Sequence, residues 1–278
     1  SRAGQSLLAY LAMTAGTPHR REKLAGTLWS DSSEENARKN LRQELWRIRK
    51  AIPAQNLPEA DDYLIADEFT LTFNRDADYW LDVSILENSD PDVQSLTSSL
   101  SLYQGELLPG FYDDWVVLER ERLQTLFESK MEQLVEKLVE SERWTAVQEQ
   151  CERWLALGFV SESAYRAMML SYNARGDMAK VSATYQRCVE DLQDHFGVEP
   201  SAETHALFNG LLKGAKVPRR IMPAQPAGTI TFLFTDIQGS TRLLDKLGDQ
   251  YATSLTEHHR ILRAAIQKWK GTEMDTQG

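Results

Sequence analysis

Cysteine is almost absent from this sequence, with only Cys151 and Cys188 among 278 residues. The two fall on separate helical segments with no neighbouring Cys or His set, so they are expected to be reduced, buried small hydrophobes. Histidine is scarce as well. Five are scattered along the chain, and the adjacent His258 and His259 would point about 100° apart on a helix, which suits no shared metal. No apolar run approaches the roughly 20 residues of a membrane span, and no basic region leads a long apolar core at the start. These absences argue against a membrane span, a secretory leader and a disulfide framework, and make the cytoplasm the expected compartment. The chain opens without Met and directly into a helical pattern, as expected of an N-terminus cut from a longer protein.

Positive charge is in deficit too. There are 31 Lys and Arg against 41 Asp and Glu, a net of −10, within a composition (42% hydrophobic, 26% charged) that suits two globular domains or three small ones. The deficit is not uniform. Residues 19–50 hold nine Lys or Arg against five Asp or Glu, a net of +4, so the remainder carries −14. An acidic protein that concentrates positive charge locally is keeping that surface for an anion, and DNA phosphate is the natural candidate.

That charge lies mostly on one stretch, Asp31 to Ile52. Ser32 followed three residues later by Glu35 is a capping-box signature, and Ala37, Leu41, Leu45, Ile48 and Ile52 recur at helical spacing. The opposite side carries Lys39, Gln43 and Lys50, flanked by Arg42 and Arg47 with Trp46 between them. Ahead of this helix come an apolar helix from Gln5 to Ala15, closed by Gly16, and a second from Arg21 to Trp29, with Leu24, Leu28 and Trp29 available for burial. Behind it, Tyr63 to Phe73 reads as a hairpin turning at Asp67-Glu68, with Phe69, Leu71 and Phe73 alternating with Thr70 and Thr72.

Three helices and a hairpin, with the third helix basic, make the layout of a winged helix-turn-helix. The segment GTPHRREKLAGTLWSDSSEENARKNLRQELWRIRKAI resembles the DNA-binding domain of bacterial response regulators and of antibiotic-regulator type transcriptional activators. The resemblance places base and phosphate contacts to double-stranded DNA on Lys39, Arg42, Gln43, Arg47 and Lys50, without separating Arg42 from Arg47 as the base reader. It departs from the family at Asp67-Glu68, where basic or Pro-Gly residues are common, and in lacking strands before the first helix.

From Tyr79 the pattern turns to long helices: Tyr79 to Leu86, Val93 to Leu102, then a turn through Gly105 and Pro109-Gly110 into a helix expected to bury Trp115 and Leu118. The string YQGELLPGFYDDWVVLERERL, Tyr103 to Leu123, is similar to the hallmark of the bacterial transcriptional activator domain. Shifting Arg143–Leu155 by 34 residues lays it on Asp177–Val189, so that Val147 meets Val181, Arg153 meets Arg187 and Leu155 meets Val189. Thirty-four is the tetratricopeptide period, in which helix pairs bury their apolar faces against stacked neighbours. Trp144, Trp154, Tyr165, Met168, Met169, Tyr172 and Tyr185 are therefore assigned to core. The activator resemblance implies a homodimer, contact with the transcription machinery, or both.

Lys213 to Ala227, with three prolines and no periodicity, reads as a linker. Thr229 to Phe234 is a short apolar, β-branched run suited to a buried strand, and Asp236 follows it before Gly239 and a helix start at Ser240 or Thr241. FLFTDIQGSTRLL resembles the opening of class III adenylyl and guanylyl cyclase domains. The resemblance implies that Asp236 and the carbonyl of Ile237 hold Mg²⁺ or Mn²⁺, and that Gly239, Ser240 and Thr241 approach the phosphates of a nucleoside triphosphate. GTEMDTQG looks like the family segment that leads into its second metal Asp, and Asp275 does not occupy that position. With no second metal ligand, base-selecting residue or transition-state residue, the 278-residue chain is expected not to turn over nucleotide and has no catalytic residue of its own.

The expected fold is mainly α and multidomain. It comprises a winged helix over 1–75, a tetratricopeptide-like activator domain over 76–212, a linker over 213–227, and the first strand and helix of an α/β, ferredoxin-like cyclase domain over 228–278. The expected function is a DNA-binding transcriptional regulator. Two alternatives stay open: a parent protein that is a class III cyclase regulated by its front half, or a peptide-binding scaffold without DNA affinity, to which the acidic hairpin tip and the −14 remainder lend weight.

Overall fold

A serine and an alternation of apolar residues set the first elements. In the computed structural model, which describes residues 1–52 and 63–214 together with 258, 261, 262 and 265, Ser1 caps helix α1 (Arg2–Met13) by accepting a hydrogen bond from the Gly4 amide. Strand β1 (His19–Arg20) and helix α2 (Arg21–Leu28) follow. Helix α3 (Glu34–Ala51) starts one residue later than the capping box suggested: Ser33, not Ser32, is the cap, and its hydroxyl accepts from the Asn36 amide. Acidic Glu34 and Glu35 in the first turn and basic Arg49 and Lys50 in the last both suit the helix dipole.

Strands β2 (Leu64–Ala66) and β3 (Thr70–Phe73) form the expected hairpin, but β1 joins it, giving an antiparallel sheet in the order β1-β3-β2 with His19 opposite Leu71. Two residues are too short a run to show periodicity, so β1 left no mark in the pattern. Leu71 and Phe73 face inward as expected. Phe69 does not, being 70% exposed, because the pairing begins only at Thr70. Leu7, Leu11, Leu24, Ala37, Leu41, Leu45 and Ile48 close with Leu64, Leu71 and Phe73 into one apolar core. Leu28, Trp29 and Ile52 pack at its margin.

The remaining described helices run α4 (Asp82–Glu87), α5 (Val93–Ser101), α6 (Asp114–Glu140), α7 (Trp144–Ala156), α8 (Glu162–Ala174), α9 (Met178–Phe196) and α10 (Ala202–Leu212). Each of α7 to α9 packs on the next, and α6 packs on α7 and α8. The 34-residue shift carries the first residue of α7 onto the first of α9, and Val147 and Val181 are both fully buried. Trp154, Tyr165, Met168 and Met169 lie in this second core, with Trp144, Tyr172 and Tyr185 packed at its edge. Cys151 and Cys188 are free and buried within it.

The phase of α6 differs from expectation. Val116, Leu123, Phe127, Met131, Leu134 and Leu138 form its inward stripe, whereas Leu118 is 66% exposed and Trp115 only partly covered. These helices and the front bundle belong to one compact unit, Ser1–Ala224. The cyclase-like stretch, including Asp236, Ile237, Gly239, Ser240 and Thr241, lies outside the described residues, as does most of the linker.

Candidate nucleic-acid interface

The inner side of α3 is fixed by burial. Ala37, Leu41, Leu45 and Ile48 are each 7% exposed or less, so the helix is fastened to the front core along its length, about 27 Å for 18 residues. The outer side follows from helical geometry: Lys39, Arg42, Gln43, Trp46, Arg47 and Lys50 are all exposed. The structure thus brings the five sequence-predicted residues onto the exposed side of one helix.

Their surroundings differ. Lys39, Arg42 and Gln43 make no ion pair or hydrogen bond through their side chains among the described residues. Lys50 lies over the Trp46 ring, 4.8 Å from its centroid, an exposed cation–π contact. Arg47 Nη1 donates to Glu44 Oε1 at 2.5 Å. Glu44 itself is buried, 6% exposed, on the inner side of the helix. Arg38 bridges Glu22 of α2 at 2.8 Å and Glu34 one turn back, so with Glu35 the N-terminal turn of α3 stays net acidic and the positive surface begins at Lys39.

Sequence reasoning missed Glu44. The signal was available: Glu44 stands three residues after Leu41 and four before Ile48, on the buried stripe, where a carboxylate requires partners. It has them in Arg47 and in the Ser1 hydroxyl, which donates to Oε2.

The acidic hairpin tip has a structural cause. Asp67 Oδ1 accepts from the amides of Phe69 and Thr70 at 2.7 and 2.6 Å, and Oδ2 accepts from the Thr70 hydroxyl at 2.8 Å. These bonds, the Thr70 hydroxyl first, hold the Asp67 carboxyl below its usual range. Asp67 therefore builds the turn. Burial also raises both cysteine thiols, Cys151 and Cys188, the latter to about 12. Both thiols are thereby inert at neutral pH. Among the described residues no group of His, Cys, Asp and Glu could hold a metal ion, and no helix is long and apolar enough to cross a membrane.

The front bundle is fastened to the helices behind it. The Trp115 indole N–H donates to Ser6 Oγ at 3.1 Å, and the ring meets Tyr10 edge-on at 5.2 Å. Arg2 stacks over Phe111 at 5.1 Å and donates to the carbonyl of Gly110, whose φ of +81° suits the turn. The loop is held from behind by Arg120, which donates to the carbonyls of Leu107 and Leu108, and by Arg153, which donates to those of Leu100 and Tyr103.

Residues 87–212 match the family model of the bacterial transcriptional activator domain, which puts α5–α10 in a domain of transcriptional-activator type. Among solved structures, Mycobacterium tuberculosis EmbR in complex with a low-affinity phosphopeptide has a similar fold, with a TM-score of 0.65 at 16% identity over 79% of this chain and 61% of that one. That share exceeds residues 87–212, so the likeness in fold extends beyond the activator domain. Over 56 residues the chain is also 36% identical to the receptor-type adenylate cyclase GRESAG 4.3 of Trypanosoma brucei brucei, covering 20% of this chain and 5% of that protein.

Proposed function

We propose that the protein is a DNA-binding transcriptional regulator in which α1–α3 and the β1-β3-β2 sheet act as a winged helix-turn-helix and α3 enters the major groove. The observation that carries this reading is the exposed, locally cationic side of α3, with Lys39 and Arg42 unpaired among the described residues, in a chain that is otherwise acidic. A major groove about 12 Å wide admits a helix, and Lys39, Arg42, Gln43, Arg47 and Lys50 are the groups that reach phosphates and base edges. Asp67 and Glu68 keep the hairpin tip away from phosphate, so affinity rests on α3. The helices α6–α10 serve as a tetratricopeptide-like platform for a homodimer and for the transcription machinery, in keeping with the activator-domain match.

Selection from a random duplex pool followed by salt-titrated binding tests the reading. A steep salt dependence is expected, its slope falling by about one unit in Arg42→Ala and again in Lys39→Ala. Absence of any enriched sequence, with no binding at roughly 50 mM salt, would count against it.

The 36% identity to a receptor-type adenylate cyclase favours a second reading, that the chain derives from a class III adenylyl or guanylyl cyclase governed by its front half. On this reading the donors would be the hard oxygens that the cyclase resemblance implies, the carboxylate of Asp236 and the carbonyl of Ile237, a set that suits Mg²⁺ or Mn²⁺. A bound ion would neutralise triphosphate oxygens beside Gly239, Ser240 and Thr241. An Asp directly after Gly278, followed by base-selecting and transition-state residues, together with cyclic nucleotide formation by that longer protein with either ion, would favour this second reading.

A further inference from the structure

The arginines on the outer side of α3 are not equivalent, and the difference lies beneath the helix. Arg42 has no partner among the described residues. Arg38 has two, but Glu22 and Glu34 are 68% and 77% exposed, so those pairs are screened by solvent. Arg47 alone of these three is tied to a buried group, since the Glu44 side chain is 8% exposed. The carboxylate is fixed in turn. Its second oxygen accepts from the hydroxyl of Ser1, which also caps α1 by accepting from the Gly4 amide at 3.1 Å. A methyl group on Gly4 would come within 2.8 Å of that oxygen, so the absence of a side chain there admits the carboxylate.

Reading a base edge and holding a phosphate make different demands on an arginine. A phosphate contact needs charge within reach. A bidentate contact to O6 and N7 of guanine needs the guanidinium plane held in one orientation before binding. Glu44 takes one Nη1 proton of Arg47 and leaves the other donors of the fork free on the exposed side. Resting on the DNA-reading function proposed above, we infer that Glu44 is a positioning residue that makes Arg47 the base-reading arginine, while Arg42 and Lys39 serve the backbone. The Glu44–Arg47 pair is neutral at a distance, so Arg47 adds specificity and little long-range attraction. Substituting it therefore separates from substituting Arg42 in the kind of effect as well as its size.

The test is selection from a random duplex pool with the 278-residue chain and its Glu44→Gln, Arg47→Lys and Arg42→Ala variants, followed by salt titration on the enriched sequence. Glu44→Gln keeps the shape of the side chain and removes its charge. Arg47→Lys keeps the charge and removes the fork, and tests the assignment independently should Glu44→Gln fold poorly. Both are expected to lose discrimination, by roughly tenfold, at the same one or two base pairs, with the salt slope unchanged in Arg47→Lys and not lowered in Glu44→Gln, which frees the Arg47 charge. Arg42→Ala is expected to keep the base preference and lose about one unit of slope. Wild-type discrimination in either Glu44→Gln or Arg47→Lys, relaxation at different base pairs in the two, or relaxation by Arg42→Ala overturns the assignment and leaves DNA binding standing. A wild-type chain that enriches no sequence overturns both, and that result appears before any variant is compared.

Discussion

His19 shows how one residue ties the helices of the front bundle to its sheet. It lies on β1 with Nε2 hydrogen-bonded to Thr14 Oγ1 at 2.7 Å and its ring 5.1 Å from Tyr10. Burial, then the nearby Lys23 ammonium, pulls its pKa below the ordinary 6.5. The fold therefore favours neutral imidazole, and below pH 6.5 the unfolded chain binds the proton more readily. The stability contributed by His19 is complete above pH 6.5 and declines as pH falls toward and through the folded value. Urea unfolding at pH 7.5 and at pH 5.5 is expected to show lower stability at the acid pH, with the loss reduced in His19→Gln. An equal loss in the variant would assign the effect to other groups.

At the scale of the element, the expected stripe of α3 matches the buried one because Ala37, Leu41, Leu45 and Ile48 obey a single period on a helix with one core-facing side. The hairpin was legible for the same reason, with Leu71 and Phe73 alternating with Thr70 and Thr72. Two features were hidden. Strand β1 is held by pairing to β3, a contact fifty residues away that no local pattern carries. The start of α6 has apolar residues at four consecutive positions, Trp115 to Leu118, so spacing alone could not choose its phase. The choice is made by Phe127 and Met131 further along the helix, which align with Val116. Val116→Ala is accordingly expected to cost roughly 2 kcal/mol, from two buried methyls and the space they leave. Leu118→Ser, on the exposed side, is expected to stay within about 0.5 kcal/mol. Thermal and urea unfolding would measure both, and the reverse order of costs would show that the helix is turned.

On the scale of the whole described unit, the residue released from the α6 stripe, Trp115, finds its partners on α1 instead. Its N–H reaches Ser6, which is 1% exposed, and its ring abuts Tyr10, which also touches His19. One residue before Gln5, Gly4 accommodates Glu44, and Arg2 clasps the loop at Gly110. Helix α1 thus lies between the candidate DNA-reading helix and the activator helices, and touches both through side chains with defined partners. The stiffness of that joint depends on an aromatic ring and one hydrogen bond, because the flanking Arg2 contact is exposed. Trp115→Ala is expected to lower the stability of the front bundle by roughly 1–3 kcal/mol, less than a fully buried tryptophan because its ring is only partly covered. Hydrogen exchange locates the effect: the amides of α1 and β1 should lose protection, while those of α7–α9, whose core does not include Trp115, should keep theirs. Trp115→Phe retains the ring and loses the bond to Ser6, and is expected to fall between the two. Unchanged protection of α1 in the alanine variant would mean that the front bundle is held without this joint, and that the hallmark loop from Gly105 to Trp115 serves only the packing of the helices behind it.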